Sequence, residues 1–482
     1  MPIVEFAGQS SQEDGVISAN SSRLLNLYRQ RVMDGGVTRY LLRPVPGQTV
    51  ATDLEAVFMR RLSWIDGNMY AACGGKLFQA DDAGFKFEIS AIEDDENTTI
   101  TGNTGKVLTC AGGNYYVWDG STLTQPTGAA FSDFGSVETV GNYSLLTERN
   151  GRRIQWTDLA APGTFDALNF ATTESGYDKN IRGMAIAGNY WVFKERSIEV
   201  WYETGLGGVS AFQRVQGGVI NRGLRSFNLA AKTPDGAFFV GEDGVAYIIS
   251  GQAIEPISSP AVNAAINEFN PTHCFYYEDD GQKFCVVRFG DRPAWCFDLA
   301  TGEWHERAEG RTFDAWTAVD AAKSDNGNWV TARRGGTICS LSRIQQDLGA
   351  HLHRRAVSKT LREGSRPFRV KELEFFGAFG EGGHTPYVGY TLALGDGYLG
   401  LLDYPYDMGD NGGNDTRLRY SVSRDGGNTF GRERLLNIGG RGEYQNRAIA
   451  RSLGQFHRVT VRLDIAEDFE IPVFSDARLE VA

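Results

Sequence analysis

The sequence is poor in proline, in net positive charge and in long apolar runs. Its 14 Pro stand against 59 Gly with no collagen-like period, which excludes a triple helix or a Pro-rich disordered chain. Its 48 Lys and Arg are outnumbered by 60 Asp and Glu, giving a net charge of −12. A surface of that sign does not grip duplex DNA broadly, because phosphate binding needs clustered Lys and Arg. It could still surround DNA without adhering to it. No stretch approaches the ~20 apolar residues of a membrane-spanning helix. Met1 to Phe6 lacks the basic and apolar regions of a signal peptide, so synthesis in the cytosol is expected. The six Cys, at 73, 110, 274, 285, 296 and 339, include no C-x-x-C pair, and buried free thiols are expected. Phosphate-binding, nucleophile-elbow and dinucleotide-binding glycine motifs are all missing from the chain. His351-x-His353 has no third ligand type close by and is flanked by Arg354 and Arg355, which suits a solvated or interface strand better than a metal site. No catalytic residue, metal or cofactor is therefore assigned.

What the chain has in quantity is aromatic side chains, 12% of residues, and glycine, a combination suited to many short strands joined by tight turns. One turn recurs. Gly67-Asn68, Gly113-Asn114, Gly141-Asn142, Gly188-Asn189 and Gly327-Asn328 are followed by aromatic or apolar strands, and Asp235-Gly236 and Asp280-Gly281 fill the gap. Such pairs accept positive φ at little cost and close hairpins. The intervals between successive hits are 46, 28, 47, 47, 45 and 47 residues. A repeat of about 40–50 residues holding about four strands is the signature of a β-propeller. The interval of 28 is too short for a full blade, so the spacing predicts six or seven blades over residues 51–345. A plain array of hairpins fits the regular spacing less well.

Residues 1–50 fall outside the repeat and read as an extended N-terminal arm, with 22–28 as a lead-in strand. Segment 343–371 turns basic and reads as a link into a second domain, 346–482. There Phe368 to Phe375, Thr416 to Ser423 and His457 to Leu463 alternate as strands of a β-sandwich-like fold, and a Gly- and Asp-rich loop at 395–414 should project. No convincing long helix appears, and Ala261 to Phe269 is the best short candidate. The fold class is thus all-β, a β-propeller followed by a C-terminal β-sandwich-like domain.

Ser423-x-Asp425-x-Gly427-x-Thr429-Phe430 matches the Asp-box, S-x-D-x-G-x-T-[WF]. Here Asp425 should accept backbone N–H bonds, Gly427 should take the special dihedral and Phe430 should pack inward. The box is structural, and the arginine cluster and Tyr–Glu pair of a sialidase cannot be assembled beside it. Acidic clusters stand at Asp81-Asp82, at Glu93, Asp94, Asp95 and Glu96, and at Glu278, Asp279 and Asp280. Solvated turn tips are the plain reading of these clusters. An electronegative wall facing DNA, formed by the last two, is the functional one.

A set of blocks resembles the packaged-DNA stabilisation proteins, the tail hubs or nozzles, of short-tailed bacteriophages. They include Leu42 to Gly47, Met69 to Phe78, Ser197 to Tyr202, Gly217 to Gly223, Tyr247 to Gln252, Ser423 to Gly431, Gly439 to Tyr444 and Ala477 to Glu480. Each is weak alone, but their order fits and they run over nearly the whole chain, with 395–414 as an insertion. The resemblance implies a structural virion-tail protein made in the bacterial host cytoplasm. It implies a homo-hexamer ring below the portal and its adaptor, a central channel that DNA passes without sequence-specific binding, a plug or needle that closes it, and side surfaces for tail fibres or tailspikes. It brings no catalytic residues. The alternatives are a glycan-binding or glycan-cleaving propeller, suggested by the Asp-box, and a generic interaction scaffold.

Overall fold

The computed structural model describes residues 3–5, 22–34, 37–174, 176–310, 312–324, 327, 329–362, 366–377, 393–394, 397–398, 416–439, 445–466 and 473–481. Six blades are each a run of four consecutive antiparallel strands, beginning at Met59–Ile65, Thr99–Asn103, Phe134–Val140, Asn180–Ile186, Ala230–Thr233 and His273–Asp279. A seventh four-strand unit closes the circle and is composite. Ala318–Lys323, Trp329–Arg333 and Thr337–Ser342 are completed by Gly47–Asp53 from the other end of the chain, paired antiparallel to the third of them. Closing a ring with a strand from each end ties the termini of the propeller together and leaves no open edge between first and last blade.

The recurring turn marks the junction of the first and second strands in blades 1, 3, 4, 5, 6 and 7. Gly113-Asn114 is the exception, for it joins the second and third strands of blade 2. The first hairpin of that blade turns at Thr104-Gly105, where φ is 49° and 71°. Measured from this turn, blade 2 lies 37 residues from Gly67 and 37 from Gly141. The interval of 28 is therefore no truncated blade; blades 1 and 2 are both compact, and blade 2 ends on a two-residue strand, Leu123–Thr124.

Of residues 1–50, expected as an extended arm, the described ones, 3–5, 22–34 and 37–50, are largely strands paired into the body of the protein, which corrects that expectation for them. Leu27–Asp34 and Val37–Pro44 form a hairpin whose second strand pairs with the last strand of the chain, Val473–Val481. Arg23–Leu25 pairs antiparallel with Arg354–Val357 and, through Leu25 and Glu306, parallel with the outer strand of blade 6. The N-terminal segment folds into the C-terminal domain because its apolar side chains, Leu24, Leu27 and Leu42, supply core to it. That domain has two sheets. One carries the N-terminal hairpin, Val473–Val481, Phe368–Gly377 and Ala448–Phe456; the other carries Arg23–Leu25, Arg354–Val357, Thr460–Ile465, Thr416–Ser423 and Arg434–Gly439. Phe368, Leu373, Leu418, Val461 and Leu463 are buried between them, the alternation of a sandwich. The basic link at 343–371 thus holds strands rather than loose chain. Only Gly397–Tyr398 of segment 395–414 is among the described residues, in a small hairpin with Ala393–Leu394.

Because the second sheet continues blade 6, the two domains share one hydrogen-bonded sheet. Asn26 sits at this weld, fully buried and with φ 56°. Its Nδ2 donates to the carbonyl of His353 at 2.8 Å, and its Oδ1 accepts from the backbone N–H of Ala308 at 2.8 Å. Arg23 grips Glu306 with two bonds of 2.8 and 2.7 Å. The helix Pro260–Phe269, N-capped by Ser259, lies between blades 5 and 6 and buries Val262 and Ile266 in the propeller core.

Candidate functional site

The first strands of all seven blades line the propeller axis, and their side chains leave a cavity of about 330 Å³. One charged or polar residue per blade faces it in most cases: Arg61, Thr99, Glu138, Arg182, Lys232 and Asp320. Most of this charge is matched. Lys232 Nζ donates to Glu138 Oε2 at 2.6 Å, and Arg61 Nε lies 3.3 Å from Asp320 Oδ2, which also accepts the backbone N–H of Leu62 at 2.9 Å. Lys323, at the other rim, reaches Glu278 at 3.3 Å. Arg182 differs. It is 1% exposed, and its Nη1 donates to the carbonyls of Phe227 and Ala230 at 3.3 and 3.1 Å. Burial, with Arg61 as a like charge nearby, pushes its guanidinium down to about 9.

The cavity has a floor. The loop ahead of blade 5 folds across the axis, where Asn228 Nδ2 donates to the carbonyl of Glu96 at 2.8 Å and the Asn228 carbonyl accepts the N–H of Cys274 at 2.7 Å. With that face closed and the interior filled by side chains, the propeller axis has no room for a nucleic-acid strand, still less for a duplex.

The two acidic clusters expected to form one wall lie on opposite faces. Glu93 to Glu96 precede the first strand of blade 2, whereas Glu278 to Asp280 end the first strand of blade 6 and its turn. Both are largely neutralised. Arg60 holds Asp94 by two bonds of 2.8 and 3.1 Å and reaches Glu96 at 3.3 Å. Asp95 pairs with Arg149 at 3.0 Å and accepts the N–H groups of Asn97 and Gly112. In the second cluster Glu278 also accepts from the Tyr276 hydroxyl at 2.7 Å, and Asp280 meets Arg343 at 2.5 Å. Asp279 faces a small cleft shared with Arg43 and Arg343. Glu93 is exposed, and no side-chain bond is made by it among the described residues. The matching arginines are 30–60 residues or more away in sequence, which is why a local reading saw only negative charge.

The Asp-box forms a turn between Thr416–Ser423 and Arg434–Gly439, in the sandwich rather than the propeller. Asp425 accepts the N–H of Thr429 at 3.0 Å and the hydroxyls of Ser423 and Thr429 at 2.6 and 2.5 Å, which hold its carboxyl well below the usual carboxylate range. Gly427 has φ 102° and donates to Ser423 Oγ at 2.8 Å. Phe430 is half-buried, with the Arg462 guanidinium 4.7 Å from its ring centre. The Ser423, Asp425 and Thr429 side chains are bonded to one another and to the backbone within the turn. No group of three or more His, Cys, Asp or Glu suited to a metal ion occurs among the described residues. All six Cys are buried thiols, their pKa raised by burial, to about 12 at Cys296 and Cys339. No helix among the described residues is long and apolar enough to cross a membrane.

Comparison with solved structures returns matches of low identity. A streptogramin B lyase matches 66% of this chain and 98% of its own at 13% identity and a TM-score of 0.41. PorZ, a bacterial surface component of the type-IX secretion system of Porphyromonas gingivalis, matches 67% and 44% at 13% identity and 0.39. The propeller domain of Cps50 (Swd1) from Myceliophteria thermophila matches 61% and 99% at 8% identity and 0.42. No curated protein matches the chain. Family models are more telling. The one described as the β-propeller of bacteriophage P22 Gp10 matches residues 18–343, and the one described as the β-sandwich of the same protein matches 401–480. With the propeller and the sandwich both found and in that order, the chain belongs to the bacteriophage P22 Gp10 family of phage DNA-stabilisation, or tail hub, proteins.

Proposed function

We propose that this phage structural protein forms the tail hub, a ring of six copies below the portal adaptor, that retains packaged DNA and provides its exit channel. The observation that carries this reading is the closed propeller axis. DNA cannot run through a cavity of about 330 Å³ with a floor at Asn228 and Glu96. A DNA-stabilising member of this family must therefore enclose its substrate between copies, and rotational closure of identical wedges is the economical way to do so. The weld at Asn26 and the shared sheet of blade 6 make propeller and sandwich one stiff wedge. Stiff walls suit a passive role, in which the protein seals, positions a plug or needle, and offers side surfaces to tail fibres or tailspikes. A net charge of −12 lets DNA slide past without sequence-specific binding. The chain would act in the virion tail after synthesis in the host cytoplasm, without catalysis. The glycan reading draws no support from the Asp-box, whose carboxylate is committed to its own turn.

The test is imaging and DNA content of particles lacking this protein. They should fill with DNA and then lose it, and complementation should restore six copies per tail. Particles without the protein that keep their DNA would overturn the retention claim. A complex with the adaptor holding one or two copies would overturn the ring.

A further inference from the structure

The geometry points to a binding site for a small tetrahedral oxyanion, of the phosphate or sulfate type, inside the propeller cavity on the Nε–Nη2 edge of Arg182. Three observations converge there. The first is an unused fork. Both bonds that Arg182 makes to protein run from Nη1, to the Phe227 and Ala230 carbonyls. Its Nε is buried and has no partner, and no bond from Nη2 is made among the described residues. The free pair is the edge of a guanidinium that matches two oxygens of one oxyanion.

The second is charge. Around the cavity Glu138 is committed to Lys232, Asp320 to Arg61 and the Leu62 N–H, and Lys323 to Glu278 outside. Arg182 is the fully buried cation left over: Glu138 and Asp320 face the same cavity and act on it, but neither forms an ion pair with it among the described residues. A buried charge without a directly bonded counter-ion is disfavoured, and a bound anion relieves it.

The third is shape. One end of the axis is bridged by the Phe227–Asn228 loop, where Arg182 is anchored. Lys232 and Lys323, half-exposed and each paired with a carboxylate, stand toward the opposite end. A volume of about 330 Å³ holds a small oxyanion with part of its hydration shell and excludes nucleic acid. The occupant would pull the blade 4 strand toward the axis and brace the loop ahead of blade 5, which makes it a structural ligand of the propeller.

The experiment is titration of the full-length protein with inorganic phosphate, and with sulfate, against chloride at equal ionic strength, followed by calorimetry and thermal unfolding. Saturable binding of one phosphate per chain and a raised unfolding temperature are expected for the wild type. Arg182→Lys keeps the charge but removes the fork, and should bind about ten-fold more weakly or worse. Glu255→Lys, exposed on the outer strand of blade 5 and away from the cavity, should bind as the wild type does. Should Arg182→Lys fail to fold, crystals of the wild type soaked in selenate decide instead, with an anomalous peak expected against Arg182. Wild-type protein that responds to phosphate no more than to chloride, a folded Arg182→Lys that binds undiminished, or selenate-soaked crystals without a peak at Arg182 would each overturn the site.

Discussion

At the scale of single residues, the strongest constraints are buried polar groups whose partners come from far along the chain. His305, on the outer strand of blade 6, packs against Phe284 and Tyr28 with ring centres 5.2 and 5.9 Å away. Burial, helped by the Arg307 charge, lowers its pKa to about 3. An unfolded histidine titrates near 6.5. The folded state thus refuses a proton that the unfolded state takes, and stability falls as pH drops from about 6.5 toward 3, by up to about 1.4 kcal/mol per pH unit for this group. His305→Phe should flatten that part of the pH profile, as read by denaturant unfolding at pH 7, 5.5 and 4.5. Identical slopes in the two proteins would show that His305 is not the group responsible. Asp425 behaves with the opposite dependence on chemistry but the same direction in pH. Its depressed pKa contributes stability above the unfolded carboxylate value that is lost as acid protonates it. Asp425→Ala should therefore loosen the sandwich turn at neutral pH, with slower or no change in the propeller, and hydrogen exchange localised to residues 416–439 would record it.

At the scale of elements, what could be read from sequence was what local chemistry fixes. Gly-Asn and Asp-Gly turns gave away most of the first hairpins, and alternation marked Phe368–Gly377 and Thr416–Ser423. The short helix was legible as Ala261 to Phe269, while its Ser259 cap and Pro260 start came from the structure. Blade 2 was misphased because its first turn uses Thr104, a β-branched residue at φ 49°, which no turn rule would choose. The fate of residues 23–53 was illegible for a different reason. Apart from the local hairpin of Leu27–Asp34 with Val37–Pro44, these strands pair with partners about 250–450 residues away, and nothing local encodes such a register. The Asn26 weld shares this origin. Asn26→Ala removes both side-chain bonds and strands the buried Ala308 N–H, at about 1–3 kcal/mol for a buried group left unpaired. The two domains, which should unfold in one calorimetric transition in the wild type, should separate into two. A single unshifted transition would mean the shared sheet alone couples them. The clasp of blade 7 offers a second check. A Cβ on Gly47 would sit 1.9 Å from the Ile344 carbonyl oxygen and 2.3 Å from that of Gln346. Gly47→Ala should open the ring closure at a cost of about 2 kcal/mol or more, seen as a lower unfolding temperature.

At the scale of the whole molecule, the acidic composition has to act through charges that are not already cancelled. The arginine pairing of Asp94, Asp95 and Glu96 changes which substitution tests a role in DNA passage. Replacing those three with Lys would break Arg60 and Arg149 contacts and confound electrostatics with stability. Glu93 stands in the same connection, exposed and with no side-chain bond among the described residues, so its charge reaches solvent undiminished. If this face lines the exit channel of a six-membered ring, Glu93→Lys puts six reversed charges around the DNA path without disturbing a packed contact. Each change moves the ring by two charges toward attraction of phosphate. Assembly should be intact, and DNA release should slow by about two-fold or more at low ionic strength. The difference should shrink at physiological salt and above, where the screening length falls below about 10 Å. Ejection followed by dye entry at several salt concentrations measures it. Equal rates at every salt would place Glu93 away from the DNA path while leaving the proposed ring untouched, because that proposal rests on closure of the propeller axis and not on the sign of this one surface.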